Sequence, residues 1–291
     1  MPEYVGRFAP SPTGPLHFGS LVAAVASYCD AKSADGKWLL RIEDVDKPRE
    51  VKGAAQSIIE TLATYGFEWD DDIVYQSHQT AHYEQALSQL KQKSLAYPCT
   101  CSRKEIADSS NLQGIEGVIY PGTCLHAPIK PNTPNAWRIK TQGFTCQFKD
   151  AIQGDILQDL SNEIGDFVIK RVDGLFAYQL AVVVDDALQG VTHVIRGTDL
   201  LLSTPRQIYL QQALNLPSTY YAHIPIVKNA AGEKLSKQTL ATAINPLQAK
   251  QQLLEALSFL KQSPPDILYQ ATLNEIWQWA ISNWQLSRLT T

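Results

Sequence analysis

Hydrophobic positions fall first into short runs and helical stripes that alternate. "EYVGRFA" reads as a short strand, and "SLVAAVASYCDAKSA" as an alanine-rich helix. "KWLLRIEDVD" is an apolar strand running into carboxylates. In "AAQSIIETLATYG", Ile58, Ile59, Leu62 and Tyr65 recur at helical spacing and Gly66 closes the helix. "TAHYEQALSQLKQKS" is a further helix pattern. Strand–helix–strand order predicts an α/β fold with a parallel sheet and crossover helices.

From about Pro98 to Leu160 the texture changes: cysteines, prolines and glycines cluster, and helical periodicity is lost. This predicts an insertion. The rhythm then returns. "DFVIKRVDGLFAYQLAVVVDDALQ" predicts a turn at Asp173-Gly174, followed by a largely apolar strand ending in two aspartates. "THVIRGTDLL" is a strand, and "STPRQIYLQQAL" a helix capped by Ser203 or Thr204 with Pro205 in its first turn. After Asn245, Leu253, Leu254, Leu257 and Leu260 form one helical stripe, and Leu273, Ile276, Trp277, Ala280, Ile281 and Trp284 a second. The expected organisation is 1–97, the first half of a nucleotide-binding domain; 98–160, the insertion; 161–245, the second half; and 246–291, a helical C-terminal region.

Composition narrows the class. With 291 residues, 44% hydrophobic and 19% charged, the chain can bury a sizeable core. A net charge of −4 argues against a tail-driven polyanion binder, though not against a local basic face. Prolines break the first residues, so no signal peptide is read there, and no apolar run reaches the ~18 residues of a membrane span. Five cysteines without an export signal argue against a disulfide framework. A cytoplasmic protein is expected.

The chemistry begins between the first strand and helix. "GRFAPSPTGPLHFGS" stiffens a loop with Pro10, Pro12 and Pro15 and loosens it at Gly14 and Gly19. A turn of this kind before a helix start suits a nucleotide phosphate. His17 stands where an imidazole could reach phosphate oxygens, although a lone loop histidine is more often structural. A second element, "KNAAGEKLSKQ", offers Lys234, Ser236 and Lys237; such lysine loops are usually solvated surface. A third is "CTC" at Cys99 and Cys101 followed by "YPGTC" with Tyr120 and Cys124. Three thiolates and one further ligand make a tetrahedral zinc site plausible, with His126 competing for the fourth place. Cys29 and Cys146 fall in helix and strand patterns and read as core.

In combination these elements say more. "HFGS" and "KLSKQ" resemble the paired nucleotide-binding motifs of class I aminoacyl-tRNA synthetases. "GRFAPSPTGPLHFG", "LLRIEDVDKPR", "AYQLAVVVDD", "VTHVIRGTDLLLSTPRQIYL" and "KLSKQ" resemble the glutamyl and glutaminyl branch, in family order. The resemblance implies a Rossmann-like parallel-sheet catalytic domain with a zinc-bearing α+β insertion and a small C-terminal helical region. It implies catalysis and ATP binding by His17, Gly19, Lys234, Ser236 and Lys237, and a glutamate pocket of Arg7, Ala9, Ser11, Glu43, Tyr178 and Arg196. It also implies one structural zinc, with tyrosine as a possible fourth ligand, and ATP used with Mg2+. Two positions depart from the family pattern: Ser20 stands for the first motif's last histidine, and Gln238 for the second motif's last serine.

The chemistry suits these residues. Adenylation needs positioning and charge stabilisation more than covalent help, and arginine forks bind carboxylates bidentately. Two buried arginines would reject glutamine, whose amide leaves a guanidinium unpaired. The branch normally carries an anticodon-binding region after its lysine loop. The short tail resembles that of a truncated member of the branch. This resemblance implies a ligase that activates L-glutamate and transfers it to the queuosine base in the anticodon loop of tRNA(Asp); a monomer is expected. That base carries a cis-diol like the one at a tRNA 3′ end. A minimal enzyme charging a 3′ end, a small-molecule nucleotidylyltransferase and a non-catalytic RNA-binding paralogue are the alternatives.

Overall fold

The computed structural model describes residues 3–110, 112–126, 133–228 and 242–290. The first half runs β1 (Val5–Phe8), α1 (Phe18–Ser33), β2 (Lys37–Ile42), α2 (Ala54–Thr64), β3 (Val74–Tyr75) and α3 (Thr80–Gln92). β1, β2 and β3 pair in parallel, with Arg7 opposite Leu39. Gly6 lets α1 lie close on this sheet, because a Cβ there would stand 3.3 Å from the Ala31 Cβ. Gly66, at φ +77°, ends α2 as its position suggests, its N–H donating to Ala63 O.

The next stretch holds β4 (Ala96–Cys99), α4 (Arg103–Ser109), β5 (Gln113–Gly114), β6 (Gly117–Val118), α5 (Thr123–His126), β7 (Ala136–Ile139), β8 (Thr145–Asp150), β9 (Gly154–Asp159) and α6 (Leu160–Glu163). Helix is therefore not lost here. Ser102 and Glu105 form a reciprocal capping box on α4, which is too short to show periodicity. β10 (Phe167–Lys170) joins β7 and β4 in an antiparallel sheet.

α7 (Tyr178–Leu188) corrects the sequence reading of a strand in this stretch. The Asp173-Gly174 turn forms, with Gly174 N–H donating to Arg171 O, but it leads into a helix. Every residue from Leu180 to Asp186 is buried, so the helix shows no polar stripe and its valine run mimics a core strand.

β11 (His193–Gly197), α8 (Thr204–Leu214) and β12 (Tyr220–Ile224) complete the parallel layer. β11 pairs in parallel with β12, whose Tyr221 pairs with Asp150 of β8. β1 lies beside β11, where Thr192 N–H donates to Val5 O. Neither expected cap of α8 acts as one. A 3₁₀ turn over Thr198–Ser203 runs straight into the helix, so Ser203 makes no side-chain cap, and Thr204 is taken up by Arg196 instead.

α9 (Ala249–Phe259) and α10 (Leu273–Asn283) follow the two leucine and tryptophan stripes. They pack on α1 as part of the main core. Trp277 lies against Tyr28 and Phe67 and donates to Tyr65 O, and Trp284 donates to Asp30. A second apolar cluster joins α3, α7 and α8. Cys29 and Cys146 are buried in the core, as their patterns suggest.

Candidate active site

The strands β1, β2 and β11 each bring one charged residue to the same end of the parallel layer: Arg7 from within β1, Glu43 just after β2, and Arg196 near the end of β11. Tyr178 opens α7 beside them. Burial raises the Tyr178 phenol, as does Glu43, while Arg196 and Arg7 oppose the rise, so all four residues share one electrostatic pocket. Ligands of parallel sheets collect at such strand ends.

A buried ion network underlies the pocket. Asp186 of α7 accepts from Arg7 Nε at 3.3 Å and from Arg41 Nη2 at 2.8 Å. Arg41, wholly buried, also faces Glu43 at 3.4 Å and donates to Gln189 at 2.7 Å. Asp185 accepts from Gln76 and from the Tyr83 hydroxyl, both at 2.7 Å. Burial pushes against every charge here, but not equally. Asp186 is held below the usual carboxylate range because Arg7 and Arg41 overcome its desolvation. At Asp185 and Glu43 burial prevails and the carboxyls rise.

Arg196 has a different setting. Its Nε donates to His223 Nε2 at 3.0 Å and its Nη2 to Thr204 Oγ1 at 2.7 Å, while Nη1 is buried with no partner among the described residues. His223, wholly buried in β12, meets Asp150 through Nδ1 at 2.6 Å. Asp150 also accepts the backbone N–H groups of Ile152, Gln153 and His223.

The loop after β1 is pinned from outside. Glu43 N–H donates to Pro10 O and Val51 N–H to Pro12 O. Gly14 turns it at φ +139°, where a side chain would be strained. Ala9 is half-buried and Ser11 exposed in this loop. His17 stands at the N-cap of α1, and its Nδ1 accepts from Ser20 N–H at 3.2 Å. The Ser20 hydroxyl lies 3.2 Å from Nε2, so the serine that replaces the motif's histidine touches the imidazole itself. Gly19 lies in the same first turn.

Lys234, Ser236 and Lys237 lie outside the described residues, as does Gln238. The chain that follows them is placed: Ala243 bridges antiparallel to His17, and Ile244 N–H donates to Leu16 O. The C-terminal side of the lysine segment thus joins the histidine turn.

Away from this pocket, Cys99, Cys101 and Cys124 bring their sulfurs within 4.8 Å of one another. The Tyr120 hydroxyl lies 3.4 Å from Cys99 Sγ and 3.6 Å from Cys101 Sγ. Zn–S bonds of about 2.3 Å in a tetrahedron set sulfurs about 3.8 Å apart, so this donor set fits one zinc ion. Burial disfavours a thiolate at Cys124, but hydrogen bonding from Tyr120 and Thr100 brings its pKa down to about 6. His126, the rival fourth ligand, stands exposed at the end of α5, outside the cluster.

The sequence reading missed Arg41, Asp150, Asp185, Asp186, Thr204 and His223 as members of the pocket. The paired aspartates gave a signal, as charges ending an apolar run. Asp150 and His223 gave none, because nothing local marks a histidine whose partner lies in another strand.

Comparison with known proteins fits this geometry. The family described as tRNA synthetases class I (E and Q), catalytic domain, matches residues 3–261. The chain is 53% identical over 282 residues to a glutamyl-Q tRNA(Asp) synthetase of Dechloromonas aromatica (strain RCB), covering 97% of this chain and 94% of the relative. It is 53% identical to that of Aromatoleum aromaticum (strain DSM 19018 / LMG 30748 / EbN1), covering 98% and 90%. In fold it is similar to the crystal structure of glutamate-tRNA synthetase from Elizabethkingia anophelis, with a TM-score of 0.82 at 24% identity, covering 99% of this chain and 67% of that one. The chain belongs to the class I tRNA synthetases of the E and Q group, a family of ligases, and within it to the glutamyl-Q tRNA(Asp) synthetases.

Proposed function

We propose that this chain activates L-glutamate with ATP and transfers it to the queuosine base of tRNA(Asp). The observation that carries the reading is a pocket of Arg7, Glu43, Tyr178 and Arg196 in a chain 53% identical, over 97% of its length, to a relative so named. Arg7 and Arg196 meet the two carboxylates of glutamate, Glu43 meets the ammonium, and Ala9, Ser11 and Tyr178 line the site. A glutamate carboxylate oxygen then bonds to the α-phosphorus of ATP while the bond to the pyrophosphate oxygen breaks. His17 and the backbone at Gly19 hold phosphate oxygens. Lys237, with Lys234, neutralises the departing pyrophosphate, and Ser236 takes part in holding ATP. Mg2+, when bound with ATP, would supply further charge to the leaving group. A hydroxyl of the queuosine diol attacks the activated carbonyl, AMP departs, and the hydroxyl proton passes to solvent.

Residues 1–97 and 161–245 serve as halves of the catalytic unit, and 246–291 as its helical support. A structural zinc on Cys99, Cys101, Cys124 and Tyr120 braces the lobe at 98–160, which has little core of its own. No helix among the described residues is long and apolar enough to cross a membrane. A cytoplasmic location and a monomeric state are part of the same proposal.

The test supplies labelled glutamate, ATP and total tRNA from cells that make queuosine, followed by nuclease digestion. Label on an internal anticodon fragment is expected. Label on the 3′-terminal adenosine makes the protein a charging synthetase and overturns the reading.

A further inference from the structure

The guanidinium of Arg196 has two hydrogen-bonding edges, and the protein has taken one. Nε and Nη2 face His223 Nε2 and Thr204 Oγ1, two acceptors that themselves lie 3.1 Å apart. The end that remains is Nη1, buried and without a partner among the described residues, with the second hydrogen of Nη2. A buried donor without a partner is costly to the fold, so its retention points to a ligand that completes it.

We propose that Asp150 and His223 are positioning residues that set the glutamate-over-glutamine choice by fixing the imidazole tautomer behind Arg196. This rests on the reading of Arg196 as a glutamate ligand. Arg196 Nε can only donate, so His223 Nε2 must accept, and its proton must then sit on Nδ1. Asp150 accepts there at 2.6 Å, and three backbone N–H groups hold its carboxylate in place. The chain Asp150–His223–Arg196 thus has one consistent direction of donation. It fixes the plane of the guanidinium, whose free end is a donor fork that binds a carboxylate and opposes the N–H groups of an amide.

Asp150→Asn breaks the direction while keeping the shape. An asparagine can still accept the backbone N–H groups through its oxygen, but its amide N–H then faces Nδ1 and drives the proton to Nε2. That places donor against donor at Arg196, and the guanidinium must turn. In pyrophosphate exchange assayed with tRNA present, the KM for glutamate is expected to rise about tenfold or more. The KM for ATP should stay within about twofold, and discrimination against glutamine should narrow. His223→Gln, which can offer an acceptor oxygen to Arg196, should retain more glutamate affinity than His223→Leu.

A folded Asp150→Asn enzyme with an unchanged glutamate KM, or with glutamate and ATP equally impaired, overturns the proposal. Nitrogen-15 NMR of wild-type His223 tests it without any variant: Nδ1 should carry the proton, and a proton on Nε2 overturns it. A wild type without glutamate-dependent exchange is a failure of the functional reading instead, since the tautomer can still be read.

Discussion

The arginine pocket and the cysteine lobe are both built from side chains that a core would normally exclude, and they are supported in opposite ways. Around the pocket, Arg7, Arg41, Arg196, Asp185 and Asp186 are nearly or wholly buried, and protein groups supply most of their partners, Arg196 Nη1 excepted. Among the described residues, the lobe's cysteine cluster has a buried apolar group of Tyr97, Cys99 and Tyr120, with Cys101 and Cys124 half-exposed against it. The pocket is stabilised by the fold that surrounds it, whereas the lobe has little buried core beside a donor set that fits an ion. The first is therefore expected to resist loss of ligand and to tolerate no loss of partner, and the second, with the proposed zinc, to do the reverse.

Asp186→Ala should separate them most sharply. Asp186 is the acceptor shared by Arg7 and Arg41, and its removal leaves two guanidinium groups short of a partner in the interior. Breaking a buried pair from one side costs about 3–5 kcal/mol. Urea unfolding should show a loss of that size, in the main transition. A loss under about 1 kcal/mol, the range of exposed pairs, would mean that the network is solvated and that the contrast is wrong.

Cys101→Ser, or treatment with a chelator, should act on the lobe alone. Purified wild type is expected to hold one zinc per chain by elemental analysis, and the variant much less. Limited proteolysis should open sites between Cys99 and His126, while the main urea midpoint falls by no more than about 1 kcal/mol equivalent, because α1, α9 and the sheet do not depend on the lobe. A global collapse on chelation would show instead that the lobe carries part of the main fold.

The same contrast explains what could be read from the chain. The lobe's thiols are close in sequence, so Cys99, Cys101 and Cys124 stood out by clustering, and Tyr120 by the resemblance. Arg7, His17 and Arg196 stood out through motifs at strand ends and turns. The partners that orient them did not, because Asp186 reaches Arg7, and Asp150 reaches Arg196 through His223, only after elements distant in sequence have packed together. α7 was hidden for a related reason: a helix buried on all sides has no polar face to declare its period. The capping box of α4 was visible as Ser102 and Glu105, but one short helical turn region in a loop-like stretch carries too little periodicity to claim them.

The smallest expected effect is on pH dependence, and it probes the pocket's reliance on burial directly. Burial holds the His223 imidazole below its ordinary 6.5, with Asp150 opposing the shift and Arg196 adding to it. His193 is lowered in the same way, with Asp30 opposing. Below 6.5 the unfolded chain therefore binds more protons at these two sites than the folded one, and their contribution to stability grows as pH rises through that window. Glu43 and Asp185, whose carboxyls burial raises, pull the other way above their ordinary values, so the wild-type slope is a sum of opposing parts. The difference between wild type and His223→Gln isolates the imidazole. Urea midpoints between about pH 5 and 7 should rise less steeply in the variant, because glutamine takes up no proton on unfolding. Equal slopes would mean that His223 titrates alike folded and unfolded, and that the pocket around Arg196 is as wet as the cysteine lobe.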